Sequence, residues 1–182
     1  ALAAMKRIND LVRKLVDAGR VAAVPAGFST VPVADLVGKA AAEARARGGA
    51  RIAVVEHAAP GLSVRARREA LEQVLSILVA NAIEAVPDGR GGQIELRAEH
   101  AGGRVRLSVR DDGAGMGSEV LRRAFDPFFT TKPSGGGAGL GLPVARGIVE
   151  ASGGTLHLES APGEGTTAVV ELPDAIEATP HG

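Results

Sequence analysis

The sequence predicts an α/β two-layer sandwich, in which helices pack on one face of a mixed, mainly antiparallel sheet. Two segments, residues 93–99 and 104–111, alternate apolar and polar side chains around an Ala101-Gly102-Gly103 turn, the pattern of an antiparallel hairpin. Stretches with apolar residues at helical spacing lie on both sides of that hairpin, without repeated strand-helix-strand units. The 182 residues, 45% of them hydrophobic, suit one domain of ordinary size with an appended element rather than a disordered chain.

The elements follow in order. In the first 20 residues Ala1, Met5, Ile8, Val12 and Leu15 recur at spacings of four and three, while Lys6, Arg7, Asp10 and Arg13 face away, which makes an amphipathic helix. Barely two heptads are present, so a coiled-coil-like seam and a helix packed on its own domain both fit. Residues 23–32 are rich in Pro, Gly and small side chains and read as a linker. An Ala-rich helix over 33–47 stops at Gly48-Gly49, and 51–56 is a strand. A helix over 67–86 buries Leu71, Val74, Leu75, Leu78, Ala82 and Ala85, and Pro87-Asp88-Gly89 ends it. Beyond the hairpin come a short helix at 118–124, a helix at 143–151 opening on Pro143, and strands at 155–160 and 167–172 joined by a turn. The expected organisation is a helix over 1–22, a linker over 23–32, a folded domain over 33–175 and a tail over 176–182.

Composition narrows the function. Lys plus Arg equal Asp plus Glu at 21 each, so no net field draws nucleic acid or an anionic membrane. No run nears the roughly 18 apolar residues of a membrane-spanning helix, which leaves no membrane contact expected of this stretch. Without cysteine there is neither a disulfide framework nor a thiolate metal site. Of 25 glycines, five fall within residues 135–141, just after Phe125, Phe128 and Phe129. Backbone freedom is therefore concentrated beside apolar anchors.

Three patches carry chemistry. Asn81 lies at the edge of the apolar stripe of the helix over 67–86, where its amide oxygen suits either Mg²⁺ ligation or an ordinary polar border. Asp111-Asp112-Gly113-Ala114-Gly115-Met116 ends a hairpin strand; a buried carboxylate there accepts a hydrogen bond from the adenine 6-amino group, and glycines let backbone approach a flat base. The same hexapeptide also fits a plain glycine turn. Ala124 to Lys132 (AFDPFFTTK) then leads into the glycine tract, which reads as a hinged lid or as a merely flexible loop. Amides around Gly137, Gly139 and Gly141 precede a helix N-terminus, an arrangement that stabilises phosphate, and Lys132 adds a point charge. The tract lacks the Gly-Lys-Ser/Thr ending of a Walker loop and the G-x-G-x-x-G of a dinucleotide loop.

Taken together, NAIEA at Asn81, DDGAGM at Asp111, FDPFFTTK at Phe125, GAGLGL at Gly137 and GEGTT at Gly163 resemble, in order and spacing, the nucleotide-binding boxes of histidine-kinase ATPase domains. The resemblance spans about residues 33–173 and is nearest to nitrogen-regulation-type sensor kinases. It implies the Bergerat ATP-binding fold, shared with chaperone, mismatch-repair and gyrase ATPases, with ATP and Mg²⁺ as cofactors. It implies Mg²⁺ ligation by Asn81, adenine recognition by Asp111, base-facing backbone at Gly113 and Gly115 beside Met116, and phosphate contact by Gly137, Gly139, Leu140, Gly141, Leu142 and Lys132. Thr166 or Thr167 would line the adenine side. The first helix then resembles the second helix of a dimerisation hairpin, pointing to a homodimer through residues 1–20. The implied partners are a phosphoacceptor histidine on a helix of the same or a partner chain and the receiver domain of a response regulator, and the implied location is cytoplasmic.

The sequence departs from the family in two ways. One turn before Asn81, where a second polar residue is common and related ATPases carry a water-activating glutamate, stands Ile77, which can neither take a proton nor hold a metal. Direct hydrolysis by that route is not expected, and no catalytic base is identifiable. A domain that binds nucleotide without transferring phosphate is the competing reading, and a serine kinase of the anti-sigma kind is disfavoured by the heptad-like first helix. Secondly, none of His57, His100, His157 and His181 lies in an H-E-x-x-x-P helix, and His57 reads as a loop residue, so the acceptor is expected on an upstream helix. Glu84 and Ala138 are smaller departures, from a lysine and a threonine found in other family members.

Overall fold

The computed structural model describes residues 27–131 and 138–175. The helix expected over 1–20, with its proposed dimer seam, and the tail over 176–182 lie outside the described residues. The elements are β1 (Ser29–Pro32), α1 (Val33–Gly48), β2 (Ile52–Ala58), β3 (Ser63–Ala66), α2 (Arg68–Ala85), β4 (Gly92–Ala101), β5 (Arg104–Asp111), α3 (Ser118–Arg123), α4 (Gly141–Ala151), β6 (Thr155–Ser160) and β7 (Thr166–Pro173).

Five strands form the main sheet in the order β2-β4-β5-β7-β6. β2 runs parallel to β4 and the other pairs are antiparallel, the mixed sheet expected from the sequence. Alternation decides which side is covered. Ile94, Leu96 and Ala98 of β4, Val105, Leu107 and Val109 of β5, and Val170 and Leu172 of β7 are buried, in one core with Leu36, Val37 and Ala41 of α1 and Leu71, Val74 and Leu78 of α2. The intervening residues make a polar outer face, where Arg97 meets Glu95 at 2.8 Å and Arg106 meets Glu159 at 3.7 Å.

The helix α2 has no basic residue in its last turn, although its final carbonyls carry the negative end of the helix dipole. Arg51, from the short turn before β2, supplies the missing cation: its guanidinium donates to the carbonyls of Val86 at 3.0 Å and Ile83 at 3.5 Å. We expect Arg51→Ala to lower stability by about 1 kcal/mol, read as a shifted urea midpoint with unchanged slope.

Two expectations are corrected. The linker read over 23–32 gives way at Ser29 to β1, which pairs antiparallel with β3, a strand the sequence reading did not place. The reason is packing: Val31 and Val64 face each other in register and both are fully buried. His57 sits within β2, not in a loop. The outgoing chain also meets β3, because Asp174 bridges Val64 and the Ala175 N–H donates to the Ser63 carbonyl at 2.9 Å. Asp174 is buried there, with its carboxylate 3.0 Å from His100 Nε2.

Candidate functional site

A cavity of about 620 Å³ opens where α2, the ends of β5 and β7, and the start of α4 converge. Asp111 marks its floor. It is the last residue of β5, between Ile94 and Thr166 in register, and only 4% exposed. Its Oδ1 accepts two backbone N–H bonds, from Gly113 at 2.9 Å and Thr166 at 3.2 Å. Its Oδ2 has no partner among the described residues, and the side chain lines the cavity. Burial pushes the Asp111 carboxyl above the ordinary carboxylate value; the two N–H bonds pull it the other way without cancelling that rise.

Asp112 is turned elsewhere: it accepts from the Gln93 N–H at 2.9 Å and from Arg90 at 3.2 Å, tying the loop to the start of β4. Gly113 is not on the cavity wall. A Cβ there would lie 2.5 Å from the Ala85 carbonyl oxygen, which also accepts the Ala114 N–H at 2.9 Å. Its smallness seats the loop on the end of α2 rather than facing a ligand. Gly115, with φ of +66°, does line the cavity beside Met116, whose N–H donates to Ser160 Oγ at 2.8 Å.

The opposite wall is α2. Asn81, half-buried, and Ile77 and Glu84 on the same flank all line the cavity. Ile77 also abuts the start of α4, where a Cβ on Gly141 would fall 3.1 Å from Ile77 Cγ2. That helix begins at Gly141 rather than at the expected Pro143. Proline still fits, being the third residue of the first turn, where no intrahelical donor is required. The amides of Gly141 and Leu142 are left over at this N-terminus, and both residues line the cavity with Gly139 and Leu140. Such leftover amides and the positive helix end suit an anion.

Phenylalanines hold the mouth. Arg146 of α4 stacks over the Phe125 ring at 3.7 Å, and Arg123 of α3 over Phe129 at 4.2 Å. The Phe128 N–H donates to the Gly139 carbonyl at 2.9 Å, with Phe128 at φ of 66° and Gly139 at 65°. Lys132 and Gly137 lie outside the described residues. Of the two threonines, Thr166 lines the cavity; Thr167, one residue on, points to the other face of the sheet and does not. Among the described residues no three His, Cys, Asp or Glu side chains are grouped to hold a metal; the amide of Asn81 and the carboxylate of Glu84 both line this wall.

Residues 66–176 match the family described as Histidine kinase-, DNA gyrase B-, and HSP90-like ATPase. The chain belongs to this ATPase family. Among curated relatives, the C4-dicarboxylate transport sensor protein DctB of Rhizobium meliloti is 38% identical over 170 residues, covering 92% of this chain and 26% of DctB. The chain spans about a quarter of the length of the curated relatives it matches. Among solved structures, the catalytic domain of histidine kinase ThkA, in a nucleotide-free form, is 32% identical with a TM-score of 0.68, over 80% of this chain and 95% of that domain. Full-length ShkA in complex with AMPPNP is 25% identical with a TM-score of 0.72, over 96% of this chain and 38% of ShkA. The mixed sheet with its covering helices is thus the fold of histidine-kinase catalytic domains. Ser160 carries no motif in the sequence, because its signal is a side-chain hydrogen bond to a loop 44 residues away.

Proposed function

We propose that the chain is the ATP-binding catalytic domain of a two-component sensor histidine kinase, and that it presents the γ-phosphate of ATP to a histidine on another helix for onward transfer to a response regulator. The observation that carries this reading is Asp111: one carboxylate oxygen is pinned by two backbone amides and the other is left for a donor in a cavity of nucleotide size. In this reading Asp111 takes the adenine 6-amino group, Gly115 and Met116 flank the base with Thr166, and the amides of Gly141 and Leu142 receive phosphate oxygens. Asn81 would hold Mg²⁺, which when bound neutralises phosphate charge. Orientation and charge are what phosphoryl transfer to an imidazole asks of this domain, since the imidazole nitrogen is itself the nucleophile.

Ile77 favours a second reading, nucleotide binding without transfer, because it puts an apolar wall where another oxygen donor would help. One experiment separates the two. Titration with Mg-AMPPNP is expected to saturate at one site per chain, and an empty titration sinks both. Labelled ATP with a histidine-bearing helical hairpin from a DctB-like kinase is expected to label the hairpin and not this chain, and Ile77→Asn to raise that rate by about tenfold. Binding with no label on the hairpin, for either variant, leaves the second reading standing.

A further inference from the structure

We infer that Ser160, which is not on the cavity wall, fixes the hydrogen-bond polarity of Thr166 and so makes the base end of the cavity read an exocyclic amino group; this rests on the ATP reading above. Ser160 Oγ lies 2.8 Å from the Met116 nitrogen, 2.8 Å from the Gly165 carbonyl oxygen and 2.9 Å from Thr166 Oγ1. A serine hydroxyl has one proton and two lone pairs. The Met116 N–H can only donate, so it takes one lone pair. The Gly165 carbonyl can only accept, so it takes the proton. Thr166 must then donate into the second lone pair, and all three capacities of Ser160 are used.

The consequence falls on Thr166. Its single hydroxyl proton is committed to Ser160, so what Oγ1 has left for the cavity it lines is lone pairs. The Thr166 N–H meanwhile holds Asp111 Oδ1, leaving Oδ2 as a second acceptor next to it. The base end therefore offers acceptors from two neighbouring strands, β5 and β7. A 6-amino purine donates to them. A 6-oxo purine brings a further acceptor and is rejected. Asp111 alone would not secure this, because a freely rotating threonine could turn its proton inward and accommodate the oxygen. Ser160 is thus a positioning residue for specificity.

The test compares Mg-ATP with Mg-ITP, which carries oxygen in place of the 6-amino group, by direct titration of the domain. Wild type is expected to prefer ATP, and Ser160→Ala to reduce the ITP-to-ATP ratio of Kd values by about tenfold, because the freed Thr166 proton can serve the 6-oxo group. A purely structural serine would weaken both nucleotides alike, so an unchanged ratio in a folded Ser160→Ala domain overturns the inference. Should thermal melting show that variant unfolded, Thr166→Val carries the test: deleting one of the two acceptors must also lower the ratio, and Thr166→Ser must keep it. A wild-type domain that binds ATP while Thr166→Val discriminates as well as before defeats the inference alone. A wild-type domain that binds neither nucleotide defeats the ATP reading itself.

Discussion

Asp111→Asn is expected to weaken ATP binding by about 1 to 3 kcal/mol, roughly 5- to 150-fold, and to do so without destabilising the domain at neutral pH. The loss follows from how the carboxylate is held. Oδ1 accepts two N–H bonds, so in the variant the carbonyl oxygen of the amide takes that place and its NH2 is forced into the position of Oδ2. An amino group on the base then meets a donor, and affinity for 6-oxo purine triphosphates should rise as that for ATP falls. Stability goes the other way. Burial raises the native carboxyl above its unfolded value, so the native state holds its proton longer and the wild-type domain loses stability as pH climbs from the ordinary carboxylate range through the native value. Asparagine has no such slope. Denaturation midpoints of the two proteins should therefore converge near pH 4 and separate in favour of the variant toward pH 7, while titration calorimetry reports the lost ATP affinity. Retained affinity would remove Asp111 from base recognition.

Gly115→Ala and Gly165→Ala should each cost about 2 to 5 kcal/mol and abolish nucleotide binding. Both glycines have positive φ, +66° and +78°, and neither has space for a methyl group: a Cβ on Gly115 would lie 1.9 Å from the Ala161 carbonyl oxygen, and one on Gly165 would lie 2.0 Å from the Asp111 carbonyl oxygen. These are backbone atoms of the loops that shape the base end, so relief requires moving the cavity itself. Gly163 is the control. It has the same φ as Gly165, but a methyl group added there would meet nothing within 4 Å, so Gly163→Ala should cost only the conformational penalty of about 1 to 2 kcal/mol and leave ATP binding intact. Equal effects at Gly163 and Gly165 would mean that backbone conformation, not crowding, governs this turn.

The sheet was readable wherever alternation ran for six residues or more, as in β4, β5 and β6, because burial of one face imposes it. The pair β1 and β3 was not, since each has four residues and its partner lies more than thirty positions away, a contact that no local pattern encodes. In the site, the motifs point to Asn81, Asp111, Gly115 and residues 139–142, all of which line the cavity. Gly113 and Thr167, which the motifs also offer, do not line it. Glycine spacing does not tell whether a missing side chain makes room for a ligand or for the Ala85 carbonyl, and one step along a strand reverses which face a threonine serves. Ser160 is decided by proton counting among three partners, which only the fold assembles.

The small sheet sets a lever arm. β3 has β1 on one side and Asp174 on the other, so the incoming and outgoing chain run roughly 10 Å apart at a single anchorage. β7 leads from Thr166, beside the cavity, to Pro173 at that anchorage, so the two lie at opposite ends of eight strand residues, about 25 Å. In the proposed kinase reading, the nucleotide is thus held at the end of the domain opposite to the point where the chain enters and leaves it.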